Sequence, residues 1–135
     1  MQQKSFAKIN LFLEVTDYQT PFHILNSFMA FIDLFDEIKI VKSDAFNLQI
    51  NGPYQNKLAT ENNIITKTID LMRQKFNIAD QFSIALTKNI PVSAGIGGGS
   101  SNAATVILMI NQICNLKLNQ SQLKKKITYH TYSLI

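Results

Sequence analysis

The chain has a single cysteine, Cys114, and no tryptophan. One cysteine excludes an internal disulfide and a CxxC redox pair, and the two histidines show no metal-ligand spacing, so no metal-ligating residues are expected. The lone thiol suits a reducing, cytoplasmic setting, and within the apolar run that follows residue 100 it reads as a small buried hydrophobe. No apolar stretch approaches the length of a membrane span, and the N-terminus lacks the apolar block of a signal peptide. No membrane partner is expected. Glycine is scarce as well: there are five in 135 residues, and four of those five lie between positions 95 and 99.

Hydrophobic residues make up 46% and charged residues 16%, a globular balance, and the length is that of one domain with a real core. The net charge of +4 comes from scattered lysines. Only Lys124, Lys125 and Lys126 form a run, which reads as a solvated face. No aromatic–basic interleaving is present, so nucleic acid is not expected as a partner, whereas a small polyanion would suit the charge.

Periodicity sketches the elements. FAKINLFLEV, residues 6–15, alternates strictly and predicts a half-buried strand, with Lys8 and Asn10 aimed the same way roughly 7 Å apart. From pattern alone Lys8 is as consistent with a solvated lysine as with a catalytic one. Residues 24–40 predict an apolar strand, a break at Asp33 and Asp36-Glu37, and a further strand IKIV. A strand around FNLQI ends at the turn Asn51-Gly52-Pro53. IITKTIDLMRQKF, preceded by Asn62-Asn63, predicts a capped helix. FSIALTKNI predicts a strand, and residues from about Ser101 to Leu116 predict a helix apolar nearly all round and therefore largely buried. Together these make an α+β domain with the glycines joining a strand to a central helix.

The stretch NIPVSAGIGGGSSNAA, residues 89–104, then carries the chemistry. Four glycines in five positions imply positive φ angles or close approach of a ligand to the main chain. A G-x-x-x-x-G-K-[ST] loop needs a lysine where Ser100 stands, and a dinucleotide fingerprint needs glycine there as well. What remains besides a plain structural turn is a cradle of bare N–H groups, Gly97 to Ser101, at a helix N-terminus, where the macrodipole favours an anion. Ser100 and Ser101 add hydroxyls, and either could cap the helix. A polyphosphate is the expected occupant.

PVSAGIGGGSSNAA resembles the second motif of the GHMP small-molecule kinases, P-x-x-x-G-[LI]-G-x-S-S-x-A. The triple glycine, the strand SFAKINLFLEV, Phe22-His23 and Glu61-Asn62-Asn63-Ile64-Ile65 follow the order of one branch, which phosphorylates a cytidine-diphosphate-linked methylerythritol in non-mevalonate isoprenoid synthesis. The resemblance covers residues 5 to about 118. It implies an α+β N-terminal domain of the ribosomal protein S5 domain 2-like type over residues 1–127, a divergent tail at 128–135, and absence of the C-terminal domain.

It also implies transfer of the γ-phosphoryl group of ATP, with Mg²⁺, to the 2-hydroxyl of that substrate. Pro91, Val92, Ser93, Ala94, Gly95, Ile96, Gly97, Gly98, Gly99, Ser100 and Ser101 would wrap the phosphates, and Asn63 and Ile64 would hold the adenine. Lys8 matches the catalytic lysine and Asn10 a substrate or phosphate contact. Phe22 and His23 match the pair that reads cytosine by stacking and hydrogen bonding, although His23 taken alone reads as a loop histidine.

Three departures accompany the likeness. Thr20-Pro21 replaces Asp-Gly before the aromatic pair, and Asn102 stands where aspartate is common. The family's Gly-Ala-Asp-Val-Pro-Phe segment, whose aspartate serves as base, has no counterpart in residues 128–135, and His130 offers no replacement. The chain therefore reads either as an active kinase by family or as a truncated or frame-disrupted remnant that at most binds nucleotide, with a separately encoded C-terminal half as a possible partner.

Overall fold

The computed structural model describes residues 1–20, 22–60 and 62–123, Phe22 through its backbone only. The tail 128–135, the lysine run and most of the expected helix 123–127 lie outside the described residues. Strand β1 spans Gln2–Gln19, β2 Phe22–Ser43 and β3 Asn47–Asn51; helix α1 spans Ile64–Phe76, β4 Gln81–Thr87 and α2 Gly98–Ile113. A 3₁₀ turn at Gln55–Lys57 precedes α1. One four-stranded sheet runs in the order β1-β2-β4-β3. β2 is antiparallel to both β1 and β4, and β3 and β4 are parallel with α1 as their crossover.

The core follows from strand alternation. Phe82, Ile84 and Leu86 of β4 face inward with Ile38 and Ile40 of β2, whose register pairs Ile38 with Leu86 and Ile40 with Ile84. Ile65, Ile69 and Met72 of α1 and Val106, Met109 and Ile110 of α2 close over that face. α1 starts where expected, because the Asn63 side chain accepts a 3.0 Å bond from Ile65 N. It stops at Asn77 in the left-handed region, φ 51°, an end that asparagine tolerates well.

Several expectations change. The acidic residues of the 24–40 stretch do not break a strand: β2 runs unbroken through Asp33, Asp36 and Glu37. β1 is longer than predicted and its alternation is interrupted by register shifts at Phe6/Lys8, Asn10/Phe12 and Val15/Asp17. Bulges redirect side chains, and beyond Asn10 neither face of the β1–β2 arm is covered. Leu11, Leu13 and Val15 are all exposed, so half-burial holds only for the first part of β1. α2 begins at Gly98, inside the glycine cluster, and it is two-sided: Ala104, Leu108 and Gln112, spaced four apart, form an exposed stripe. Cys114 is the C-cap and only partly buried. Among the described residues no helix is long and apolar enough to cross a membrane.

Candidate functional site

The glycine segment leaves the end of β4 and enters α2. Its backbone visits the left-handed region at alternate residues: Ser93 (φ 62°), Gly95 (72°) and Gly97 (73°). Two glycines of this segment are closely approached by neighbouring side chains. A β-carbon on Gly97 would lie 3.0 Å from Lys8 Cγ, and one on Gly98 would lie 2.9 Å from Ile90 Cγ2. Gly99 meets nothing nearer than Ile64 Cδ1 at 3.9 Å, so its missing side chain leaves open space.

That space belongs to a cleft of about 530 Å³. The segment Pro91–Ser100 forms one wall, Asn62, Asn63 and Ile64 at the head of α1 form another, and Lys57, Lys88 and Asn102 complete it. Among the described residues, the N–H groups of Gly98, Gly99 and Ser100 have no protein acceptor. They are the orphan donors of the first turn of α2, where the helix dipole adds partial positive charge. Ser101 differs from its neighbours: its N–H donates to Gly97 O at 2.9 Å, and its hydroxyl accepts from Ser5 Oγ at 2.9 Å. It fastens α2 to β1 and does not line the cleft. Neither serine caps the helix, since the N-cap is Gly97.

The bulge after Phe6 brings Lys8 to this place. Lys8 N donates to Ile96 O at 2.9 Å, which stitches β1 to the loop. The side chain then lies along Gly97 and its ammonium donates to Asn10 Oδ1 at 3.1 Å. Lys8, Asn10 and the loop thus lie together, although neither Lys8 nor Asn10 lines the cleft itself. Asn63 is also at the cleft, with its side chain engaged at both ends: Oδ1 accepts from Ile65 N and Nδ2 donates to Ala59 O at 3.0 Å.

His23 is elsewhere. It pairs with Tyr18 near the far end of the arm, the rings 5.0 Å apart and tilted by 49°, and some ten residues of extended strand separate Tyr18 from Lys8, about 30 Å of chain. The backbone places Phe22 beside His23, opposite Gln19.

Residues missed in the sequence are Lys57, Lys88 and Asp36. Asp36 is fully buried and bonded to Lys88 Nζ at 2.6 Å. The only local sign was an acidic residue inside an apolar strand.

Known proteins resemble this chain in sequence and fold. The model of the GHMP kinases N terminal domain matches residues 63–129, which include the whole glycine segment and, from the α1 wall, Asn63 and Ile64. The chain has the fold of a GHMP kinase N-terminal domain. Among curated GHMP relatives, 4-diphosphocytidyl-2-C-methyl-D-erythritol kinase of Clostridium perfringens is 37% identical over 126 residues, 93% of this chain and 44% of the relative. The Campylobacter jejuni protein of the same name is 39% identical over 127 residues, 89% of this chain and 49% of the relative. The chain therefore spans about half the length of the curated relatives it matches. A crystal structure of 4-(cytidine 5'-diphospho)-2C-methyl-D-erythritol kinase superposes with TM-score 0.69 at 28% identity, covering 88% of this chain and 42% of that one. The mevalonate kinase of Methanococcus jannaschii has the same TM-score, 0.69, at 21% identity, a likeness of GHMP fold alone.

Proposed function

We propose that this chain is the ATP-binding half of a kinase that transfers the γ-phosphoryl group of ATP to the 2-hydroxyl of 4-diphosphocytidyl-2-C-methyl-D-erythritol. The observation that carries the reading is the set of three unbonded N–H groups at the head of α2, Gly98 to Ser100, on residues that line a cleft, with Lys8 packed against the adjoining Gly97. Phosphoryl transfer asks a protein chiefly for positioning and for charge near the equatorial oxygens. The amides hold the polyphosphate, Lys8 supplies the fixed cation, and Asn10 orients the lysine through its 3.1 Å bond. Ile64 and the main chain of Asn63 form the adenine wall, and Phe22 and His23 on the arm serve the cytosine end of the substrate.

Magnesium accompanies ATP in such chemistry. Among the described residues no group of three or more His, Cys, Asp or Glu could hold a metal ion, and no carboxylate lines the cleft. The described residues do not form a magnesium site of their own, and no step is assigned to the ion. The same absence of a cleft carboxylate leaves no general base for the hydroxyl among them. On this reading the chain alone binds nucleotide without turnover, and a C-terminal half supplies the base and the rest of the substrate site.

The test is a reconstitution. Calorimetry of the chain alone is expected to show ATP binding, with no transfer of label from [γ-³²P]ATP to the methylerythritol substrate. Adding the separately expressed C-terminal half of the Clostridium perfringens relative is expected to restore transfer, and to do so only with Lys8 intact. Absence of ATP binding would overturn the nucleotide-binding reading. Rapid transfer by the chain alone would overturn the division of labour.

A further inference from the structure

Asp36 sits within β2, fully buried, and every hydrogen-bond partner of its carboxylate lies in residues 88–102, which carry the glycines. Oδ1 accepts from Asn89 N at 2.7 Å and from Ile90 N at 2.8 Å. Oδ2 accepts from Lys88 Nζ at 2.6 Å and from Asn102 Nδ2 at 2.9 Å. An ionised carboxylate offers about four lone-pair sites, and all are taken. Such a group has no capacity left for a metal or for a proton on substrate, so its influence must pass through the atoms it holds.

Those atoms lie on the two sides of the glycines. Lys88, Asn89 and Ile90 are the residues by which the chain leaves β4, and Asn102 lies in the first turns of α2. The position of a β-carbon on Gly98, the first residue of α2, is 2.9 Å from Ile90 Cγ2 and 3.3 Å from Lys88 Nζ. One buried carboxylate thus holds the entry and the exit of the loop together and packs the head of α2 onto the entry. The orientation of Asn102 is set by the same group: turned over, its oxygen would face a carboxylate oxygen, so the amide nitrogen must point there. Its Oδ1 is then left buried without a partner, an arrangement that costs stability and persists only where something else holds it.

We infer that Asp36 is the positioning residue of the phosphate-binding loop. Through Lys88, Asn89, Ile90 and Asn102 it sets the direction of the free N–H groups at Gly98–Ser100 before any ligand arrives, and it neutralises Lys88 so that this cation stays with the scaffold. The inference rests on the nucleotide-binding reading above and adds to it a residue outside the glycine motif.

The experiment compares the full chain with Asp36→Asn, which keeps the shape, and with Asp36→Asn/Lys88→Met, which leaves no unpaired buried cation. Each is titrated with ATP, inorganic tripolyphosphate and adenosine, and amide hydrogen exchange is followed across residues 88–102. The single variant is expected to weaken ATP and tripolyphosphate at least tenfold, to leave adenosine within about twofold, and to raise exchange selectively at 89–90 and 97–102. If the single variant does not fold, the same pattern is expected of the double variant. Equal weakening of all three ligands, or failure of both variants to fold, makes Asp36 a residue of general stability and overturns the inference. Unchanged ATP binding with unchanged exchange overturns it too. If the unsubstituted chain binds neither ATP nor tripolyphosphate, the nucleotide-binding reading falls, and this inference with it.

Discussion

The side chain of Lys8 lies along the face of Gly97, its Cγ 3.0 Å and its Cε 3.3 Å from the point where a β-carbon would stand. The contact joins the lysine of the first strand to the loop that precedes α2, and it makes the glycine a spacer as well as a hinge. Gly97→Ala is expected to act twice. A φ of 73° costs a side-chain-bearing residue about 1–2 kcal/mol, and the new methyl pushes Lys8 off the loop. Urea unfolding should show that loss, and ATP binding should weaken further than the stability change accounts for. A variant that binds ATP normally would separate Lys8 from the nucleotide.

Gly98 and Gly99 are neighbours with opposite surroundings. Gly98→Val must displace Ile90, which a β-carbon would approach to 2.9 Å, whereas Gly99→Ala enters open space. The first is expected to lower the unfolding midpoint and to abolish thermal protection by ATP. The second is expected to leave the midpoint unchanged or slightly raised, because alanine favours a helix more than glycine by up to about 1 kcal/mol, while reducing ATP affinity by crowding the cleft. Loss of folding in both would mean that the cleft side of Gly99 is packed.

Asn63 caps α1 through Ile65 N and ties it to Ala59 O. Asn63→Ala removes both bonds and is expected to cost about 1 kcal/mol, within the usual range for a lost cap. Adenosine affinity should fall by less than threefold if Asn63 serves a ligand through its main chain alone. A tenfold fall at unchanged stability would show that its amide reads the base directly.

Cys114 and Lys42 share Asp80. Burial, and then the Asp80 carboxylate, hold the Cys114 thiol above its ordinary pKa, while a hydrogen bond from the Lys42 ammonium to Asp80, at 2.7 Å, raises Lys42. Both groups keep their protons more tightly folded than unfolded. Their contributions are therefore complete below the unfolded values and are lost as pH rises, from about 8.5 for the thiol and about 10.4 for the ammonium. Alkylation of Cys114 by iodoacetamide should be slow at pH 7.5, with its midpoint above that of a free thiol. Asp80→Asn should shift that midpoint down; an unchanged midpoint would leave burial as the sole cause.

The outer arm of β1 and β2 presents Phe28 at 66% and Phe31 at 77% exposure, beside exposed Leu25 and Met29. Phe28→Ser/Phe31→Ser is expected to reduce binding of a hydrophobic dye and self-association at high concentration. Surface changes usually stay within about 0.5 kcal/mol of the parent, so the unfolding midpoint should barely move. A large destabilisation would show that the arm is packed in solution.

What could be read without coordinates was local. The alternation of Phe82, Ile84 and Leu86, the capped α1 and the glycines opening a helix each depend on neighbours a few residues away, and backbone sterics and side-chain period act at that range. Tertiary structure decided the rest. Asp36 looked like a break in a strand, yet it is buried because its four donors arrive from 52 to 66 residues further along the chain. The alternation of β1 does not say where Lys8 lies; a bulge after Phe6 and the pairing with the loop lay it on Gly97. Leu11, Leu13 and Val15 alternate as a buried face should, and they stay exposed because alternation states which residues share a side but not whether anything packs against it. Pairing partners distant in sequence, together with the reach of the covering helices, settle burial and the geometry of the site, and no local pattern encodes either.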